Sequence, residues 1–299
     1  MVRPKKFLGQ HFLHDENIAQ KIVGYLNPSY PVALEIGPGM GALSKYLLEK
    51  PGFQTWFMEI DRESIAYLVR TYPAISKRLI EADFLKYDLS GFPPDRDKAP
   101  SGHSSLNRAV PDFNPFTNSG TPSGNPLSES IEPVTFTIIG NFPYNISSQI
   151  LFRALENRNR VGEIIGMFQK EVAQRLAAPP GNKTYGILSV LLQAYYEIDY
   201  LFTVNETVFY PPPKVKSAVI RLRRNTVDSL HCDETLFTRV VKTAFNQRRK
   251  TLRNALRPMT GNQPVPGSET MDKYMDLRAE RLSVNDFINL TRAIGDIVR

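Results

Sequence analysis

The sequence predicts an α/β fold: a mostly parallel, doubly wound sheet followed by a small all-helical C-terminal domain. Three observations predict it. Short apolar runs alternate with amphipathic segments from about residue 17 to about residue 223, the pattern of successive strand–helix–strand units. The first apolar run opens into the glycine-rich turn Gly37-Pro38-Gly39-Met40-Gly41. From about Asp228 onward no strand signal is left, while helical periodicity continues. Residues 1–227 are therefore expected to form the sheet-bearing domain and residues 228–299 the helical one.

Each element has its own warrant. Asn17–Leu26 reads as an amphipathic helix, with Ile18, Ile22, Val23 and Leu26 on one side. Val32–Ile36 is a short buried strand, and Ala42–Leu48 is helical after the glycine turn. Thr55–Ile60 is a second strand, Ser64–Thr71 a helix, and Arg78–Ala82 a third strand. Val134–Gly140 is a fourth strand, followed by helix Ser148–Glu156, strand Val161–Gln169 and helix Glu171–Ala178. Asp199–Val204 and Ser217–Arg223, with Pro211-Pro212-Pro213 between them, suggest a terminal hairpin. Thr238–Arg257 and Val284–Ile297 are expected to be helices. Phe92–Val134 breaks the pattern. Of its 43 residues, 22 are Pro, Gly, Ser or Asn, too few apolar groups to offset ordering entropy, so a low-complexity surface insertion is expected.

The 299 residues carry a net charge of +7. Arg239–Arg257 holds seven Lys/Arg and no acid, Lys214–Arg224 holds five and no acid, and Arg3, Lys5 and Lys6 lie near the start. Such clusters favour a polyanionic partner. Cys232 is the only cysteine, which excludes a disulfide or Cys-ligated metal site within one chain. No metal is expected. No apolar run is long enough to span a bilayer, so a cytoplasmic protein with no membrane partner is expected.

Three strand ends carry candidate chemistry. Glycines at Gly37–Gly41 let the backbone approach a ligand closely, although a tight strand-to-helix turn needs them equally. The spacing departs from the dinucleotide fingerprint, because no Gly sits three residues after the second one. Glu59 ends the second strand, 22 residues past Gly37, where an acid can bind both hydroxyls of a ribose. Asp61 can simply cap the next helix. Asp83 ends the third strand and can accept from an adenine amine, with Phe84 beside it. Together they describe a site for an adenosine-bearing cofactor. At the fourth strand end, Asn141-Phe142-Pro143-Tyr144 sets an amide oxygen beside a flat ring. That pair suits the exocyclic amine of a nucleobase, the amide accepting from N–H and the ring stacking. Asn-X-Pro is also a common way to leave a strand.

Six segments then match a known pattern in order: Gly9–Leu13, Glu35–Gly41, Asn141–Ser147, Phe168–Val172, Phe209–Val215 and Phe245–Asn254. On these, the chain resembles the KsgA/RsmA family of small-subunit ribosomal RNA adenine N6-dimethyltransferases. The resemblance covers nearly the whole chain apart from 92–134. Erm-type large-subunit methyltransferases share the Asn-X-Pro-Tyr turn but lack the Phe-Asn-Gln-Arg-Arg-Lys run, and they stand as the alternative.

The resemblance implies a Rossmann-like class I methyltransferase sheet and S-adenosyl-L-methionine as donor. It implies dimethylation of two adjacent adenosines near the 3′ end of 16S rRNA within the 30S subunit, by a monomer. Carried over by position, the donor contacts would be His11, Leu13, Gly37, Glu59, Asp83 and Asn141. His11 is a departure, since the family usually has Asn there. The target amine would meet the Asn141 side chain and the Pro143 carbonyl, with its base between Tyr144 and Phe209. The helical domain would contact rRNA. On a continuous helix, Arg239, Lys242, Asn246, Arg249 and Arg253 fall within about 80° of arc, beside an apolar stripe of Val241, Phe245, Leu252 and Leu256. Arg248, Arg249 and Arg253 are the expected phosphate contacts.

Overall fold

The computed structural model describes residues 2–94, 135–261, 263–266 and 269–298. Its centre is a seven-stranded sheet in the order β4-β3-β2-β5-β6-β9-β7. The strands are β2 (Val32–Ile36), β3 (Gln54–Glu59), β4 (Leu79–Glu81), β5 (Phe136–Asn141), β6 (Val161–Gln169), β7 (Tyr196–Val204) and β9 (Ser217–Arg224). Pairings from β4 through β6 are parallel, and β9 runs antiparallel to both β6 and β7. The expected terminal hairpin is present. A two-residue ladder joins β1 (Phe12–Leu13) to β8 (Phe209–Tyr210), a pairing across nearly 200 residues that no local pattern announces.

Both faces of the central strands are covered, so they read as mostly apolar runs rather than alternating ones. Leu34 and Ile36 of β2, with Ile164 and Phe168 of β6, belong to one core. Ala33, Ile165 and Met167 point to the other, where α1 (Glu16–Gly24), α2 (Ser44–Glu49) and α3 (Arg62–Thr71) pack. Asp15 and Asp61 cap α1 and α3 by accepting from the N–H of Ile18 and Glu63, which satisfies donors the first turn leaves free. The opposite face carries α4 (Ser147–Glu156), α5 (Lys170–Leu176) and α6 (Ile187–Gln193).

Beyond β9 the described residues form only helices: α7 (Glu234–Asn246), α8 (Leu252–Ala255), α9 (Arg257–Thr260), α10 (Glu269–Asp276) and α11 (Val284–Val298). They share the core of the sheet face, with Tyr185 edge-on to Phe245 at 6.1 Å and Phe245 against Phe287 at 5.8 Å. The helix expected over 238–257 is two helices. It stops at Gln247 and restarts at Leu252, whose N–H donates to the Leu277 carbonyl. That tertiary bond, with burial of Leu252, redirects the chain across three consecutive cations, and the single outward face drawn on a continuous helix does not exist.

The insertion also starts later than composition suggests. Residues 95–134 lie outside those described, but Phe92 is 1% exposed and packs at 4.5 Å on Phe136 and 6.3 Å on Trp56. Arg160 donates to its carbonyl. Replacing residues 95–134 with a short Gly-Ser linker is expected to leave the melting temperature within a few degrees, because closure cost changes by only about 0.6 kcal/mol per doubling of loop length. Removing Phe92 as well should cost about 3–5 kcal/mol. Equal melting temperatures for the two deletions would contradict this boundary.

Candidate active site

The chain leaves β2 toward β3 on one side and β5 toward β6 on the other. Between such strands the carboxyl ends part and leave a crevice, the usual ligand position in an open α/β sheet. A cavity of about 280 Å³ lies there, lined by the β2 and β5 ends, Met58–Ile60, Ala82–Leu85 and the N-terminal segment Phe7–Leu13.

The donor side of the cavity is carboxylate-rich. Gly37 and Gly39 have φ of +67° and +58°. A Cβ on Gly39 would sit 3.0 Å from the Phe12 ring, so the turn hugs the crevice wall because it has no side chains. Glu59 is 5% exposed. It accepts from the Gly39 N–H at 3.0 Å and from Ile60 and Asp61 N–H at 2.9 Å each. Burial raises its pKa, although those three bonds pull it down. Asp83 accepts from Leu85 N–H through one oxygen at 2.9 Å, and its second oxygen makes no hydrogen bond among the described residues. Asp61 is held instead by Lys5, Ser64 and Gln10. Burial pushes its carboxyl up, and those bonds together outweigh burial and leave it below the usual range. It is a cap, as the sequence allowed.

Two lining residues escaped sequence reasoning. Glu35 is fully buried, accepts from Ser44 Oγ at 2.6 Å, and burial pushes its pKa up to about 8. Its signal was present, since it is an acid inside an otherwise apolar strand. Ile60 is 50% exposed at the cavity wall beside Glu59, an apolar surface facing the space between Glu59 and Asp83. The residues present fit an adenosylated amino-acid cation: carboxylate acceptors at two strand ends, a third carboxyl under the glycine turn, and a turn that a Cβ would obstruct.

On the acceptor side, Asn141 Nδ2 donates to the His11 carbonyl at 2.8 Å. Its Oδ1 makes no hydrogen bond among the described residues, so the amide is turned with its acceptor available. The Pro143 carbonyl already accepts from Ile146 N–H at 3.1 Å and keeps one lone pair. Phe142 is a peg. Its ring fills the hollow above Gly140 and Gly166, where an added Cβ would come within 2.8 and 2.2 Å of it. Tyr144 donates or accepts through its hydroxyl with Ser217 Oγ at 2.5 Å, and burial raises its pKa. The His11 ring stacks on Tyr144 at 5.4 Å and 27°, with Nδ1 2.7 Å from the Pro211 carbonyl. His11, Leu13, Gly37, Glu59, Asp83, Asn141, Pro143 and Tyr144 all line this one cavity.

Phe209 does not join them. It is 2% exposed and belongs to the core of Leu13, Met167 and Val204, so the expected sandwich with Tyr144 is absent. Strand alternation explains it: opposite Leu13, Phe209 points inward, and Tyr210 points out.

The three expected phosphate contacts separate as well. Arg248 donates to the Lys183 carbonyl and sits 4.0 Å from Glu280. Arg253 pairs with Asp276 at 3.1 Å. Arg249 is exposed and makes no ion pair among the described residues.

Comparison with known proteins adds an independent line. The sequence profile of the family described as Ribosomal RNA adenine dimethylase matches residues 1–295. A Cytophaga hutchinsonii protein named Ribosomal RNA small subunit methyltransferase A is 48% identical over 296 residues, spanning 98% of this chain and 98% of its own. Its namesake from Bacteroides thetaiotaomicron is 47% identical, covering 100% of this chain and 97% of its own. Among solved structures, a dimethyladenosine transferase from Plasmodium falciparum matches with TM-score 0.63 at 21% identity, covering 94% of this chain and 96% of that one. The 23S rRNA methyltransferase ErmE matches with 0.58 at 21% identity, covering 95% and 99%. At such identities the two structures speak to the fold.

Proposed function

The chain belongs to the ribosomal RNA adenine dimethylase family, and from that premise we propose how its residues dimethylate the N6 amines of two adjacent adenosines near the 3′ end of 16S rRNA. When bound, S-adenosyl-L-methionine supplies an already activated methyl group. Glu59 holds the ribose hydroxyls, Asp83 accepts from the adenine amine, and Gly37 leaves the crevice wall open.

The observation that carries the reading is the orientation of Asn141, whose Nδ2 is tied to the His11 carbonyl. Its Oδ1 is thereby free to accept from an incoming amine. The lone pair of an adenine N6 is delocalised into its ring. Hydrogen bonds from N6 to Asn141 Oδ1 and to the remaining lone pair of the Pro143 carbonyl hold the nitrogen and draw it toward a tetrahedral shape. The base must leave its helical stack to arrive there, and Tyr144 receives it. The proton released after transfer goes to water, so no side chain need act as general base.

The reading takes the enzyme as a monomer. Among the described residues no helix is long and apolar enough to cross a membrane, and the reading places the enzyme in the cytoplasm on the 30S subunit. Residues 1–227 would act as catalytic domain and 228–299 as the rRNA-facing domain. The test is incubation with methyl-labelled donor and each isolated ribosomal subunit, followed by mass spectrometry of the RNA. Adjacent dimethyladenosines in small-subunit rRNA are expected, and label confined to large-subunit rRNA would overturn the reading in favour of the Erm-type alternative.

The arginines give a second test. Arg249→Glu is expected to weaken particle binding and to flatten its salt dependence by about one counterion's worth, without lowering the melting temperature. Arg248→Glu should lower the melting temperature instead, because it removes a tether between the helices and the loop at Lys183. An unchanged salt slope for Arg249→Glu would remove it from the phosphate contacts.

A further inference from the structure

Two aromatic rings face solvent beside the cavity. Phe7 is 77% exposed and Tyr210 is 57% exposed. Each sits on backbone that is tied down. The turn carrying Phe7 is closed by Gly9 in the left-handed region at φ +63°, and the Phe7 carbonyl accepts from Asn145 Nδ2 at 3.4 Å. Asn145 follows the acceptor turn directly. Tyr210 is held in the ladder opposite Phe12, a cavity-lining residue. The next residue, Pro211, meets His11 Nδ1 through its carbonyl. The two rings therefore reach the same mouth from two different segments.

Exposed cations near them in the chain are unpaired. Lys6, Lys214 and Lys216 are exposed and make no ion pair among the described residues. Rings beside unpaired cations are poorly suited to a basic ribosomal protein. They suit unpaired nucleotides, whose bases stack on aromatic rings without regard to sequence while their phosphates meet lysine.

From this placement we infer that Phe7 and Tyr210 form a stacking platform for the nucleotide next to the target adenosine, with Lys6, Lys214 and Lys216 on the flanking phosphates. The inference rests on the proposed function. Extruding one adenosine deprives its neighbour of a stacking partner, and the rim replaces that partner. Where the neighbour is the second adenosine to be methylated, it waits on the rim while the first occupies the cavity.

The test uses a short hairpin RNA with 2-aminopurine beside the target position, mixed with enzyme and S-adenosylhomocysteine. Stacking should quench the fluorescence with wild type and Tyr210→Phe, but not with Tyr210→Ala or Phe7→Ala. KM for the small subunit should rise about tenfold in each alanine variant, while Tyr210→Ala keeps wild-type donor affinity and melting temperature. Unchanged quenching and KM in both alanine variants, beside an active wild type, would overturn this inference alone. So would a KM rise on the particle without any change on the hairpin, which would make the partner a ribosomal protein. A wild type unable to methylate the particle would remove the proposed function and this inference with it.

Discussion

Asn141→Ala is expected to lower the single-turnover methylation rate by about two orders of magnitude at saturating donor and particle. Two losses combine. The amine of the target base loses its oriented acceptor, and misplacement of a reacting group by an ångström costs on this scale. The His11 carbonyl, which accepts from Asn141 Nδ2 at 2.8 Å, also loses its donor and with it the link between the N-terminal segment and the acceptor turn. Asn141→Asp keeps an acceptor but sets a carboxylate oxygen against that carbonyl, so its rate should fall between the two. A rate for Asn141→Ala within a few-fold of wild type, measured by quench flow with labelled donor, would show that the amide only shapes the turn.

Glu59→Ala is expected to weaken donor binding by about 1.5–3 kcal/mol, the usual cost of a lost charge-assisted hydrogen bond. It should also destabilise the fold. From the sequence alone Glu59 reads as a ligand residue whose removal spares the structure. The structure corrects that, because the carboxylate accepts from three backbone N–H groups, those of Gly39, Ile60 and Asp61. Removing it strands donors in a buried site, at about 1–3 kcal/mol for an unsatisfied group. Glu59→Gln separates the effects: its amide oxygen keeps part of the backbone network while the charge at the proposed ribose site is gone. Donor titration by calorimetry and thermal unfolding of both variants are the measurements. Unchanged donor affinity in Glu59→Gln together with a lowered melting temperature in Glu59→Ala would make Glu59 a strut of the glycine turn and nothing more.

The strand ends were legible because burial on two faces leaves an apolar run that a polar residue must terminate. Glu59, Asp83 and Asn141 each end or follow such a run, and all three line one cavity. What escaped the sequence depends on partners far along the chain. Phe209 and Tyr210 are both aromatic, and only the ladder with Phe12 and Leu13 decides which turns inward. Arg248 and Arg253 look like Arg249 in sequence, but the first is engaged by Lys183 and Glu280 and the second by Asp276. The break after Asn246 follows from a hydrogen bond to Leu277, which helical periodicity does not encode. Phe92 sits next to Pro93 and Pro94 in a low-complexity context, and only the rings of Trp56 and Phe136 show that it belongs inside.

The Phe142 peg has a consequence for where the enzyme keeps still. The residue after Asn141 is lodged over two bare strand positions, Gly140 and Gly166, so the acceptor turn is a fixture of the sheet with no hinge of its own. It cannot swing aside to admit a base or release a methylated one. Across the crevice the N-terminal segment is pinned as well, by the ladder between β1 and β8 and by Lys5 and Gln10 on Asp61. The Asn141 amide therefore sits as still as the middle of a folded sheet.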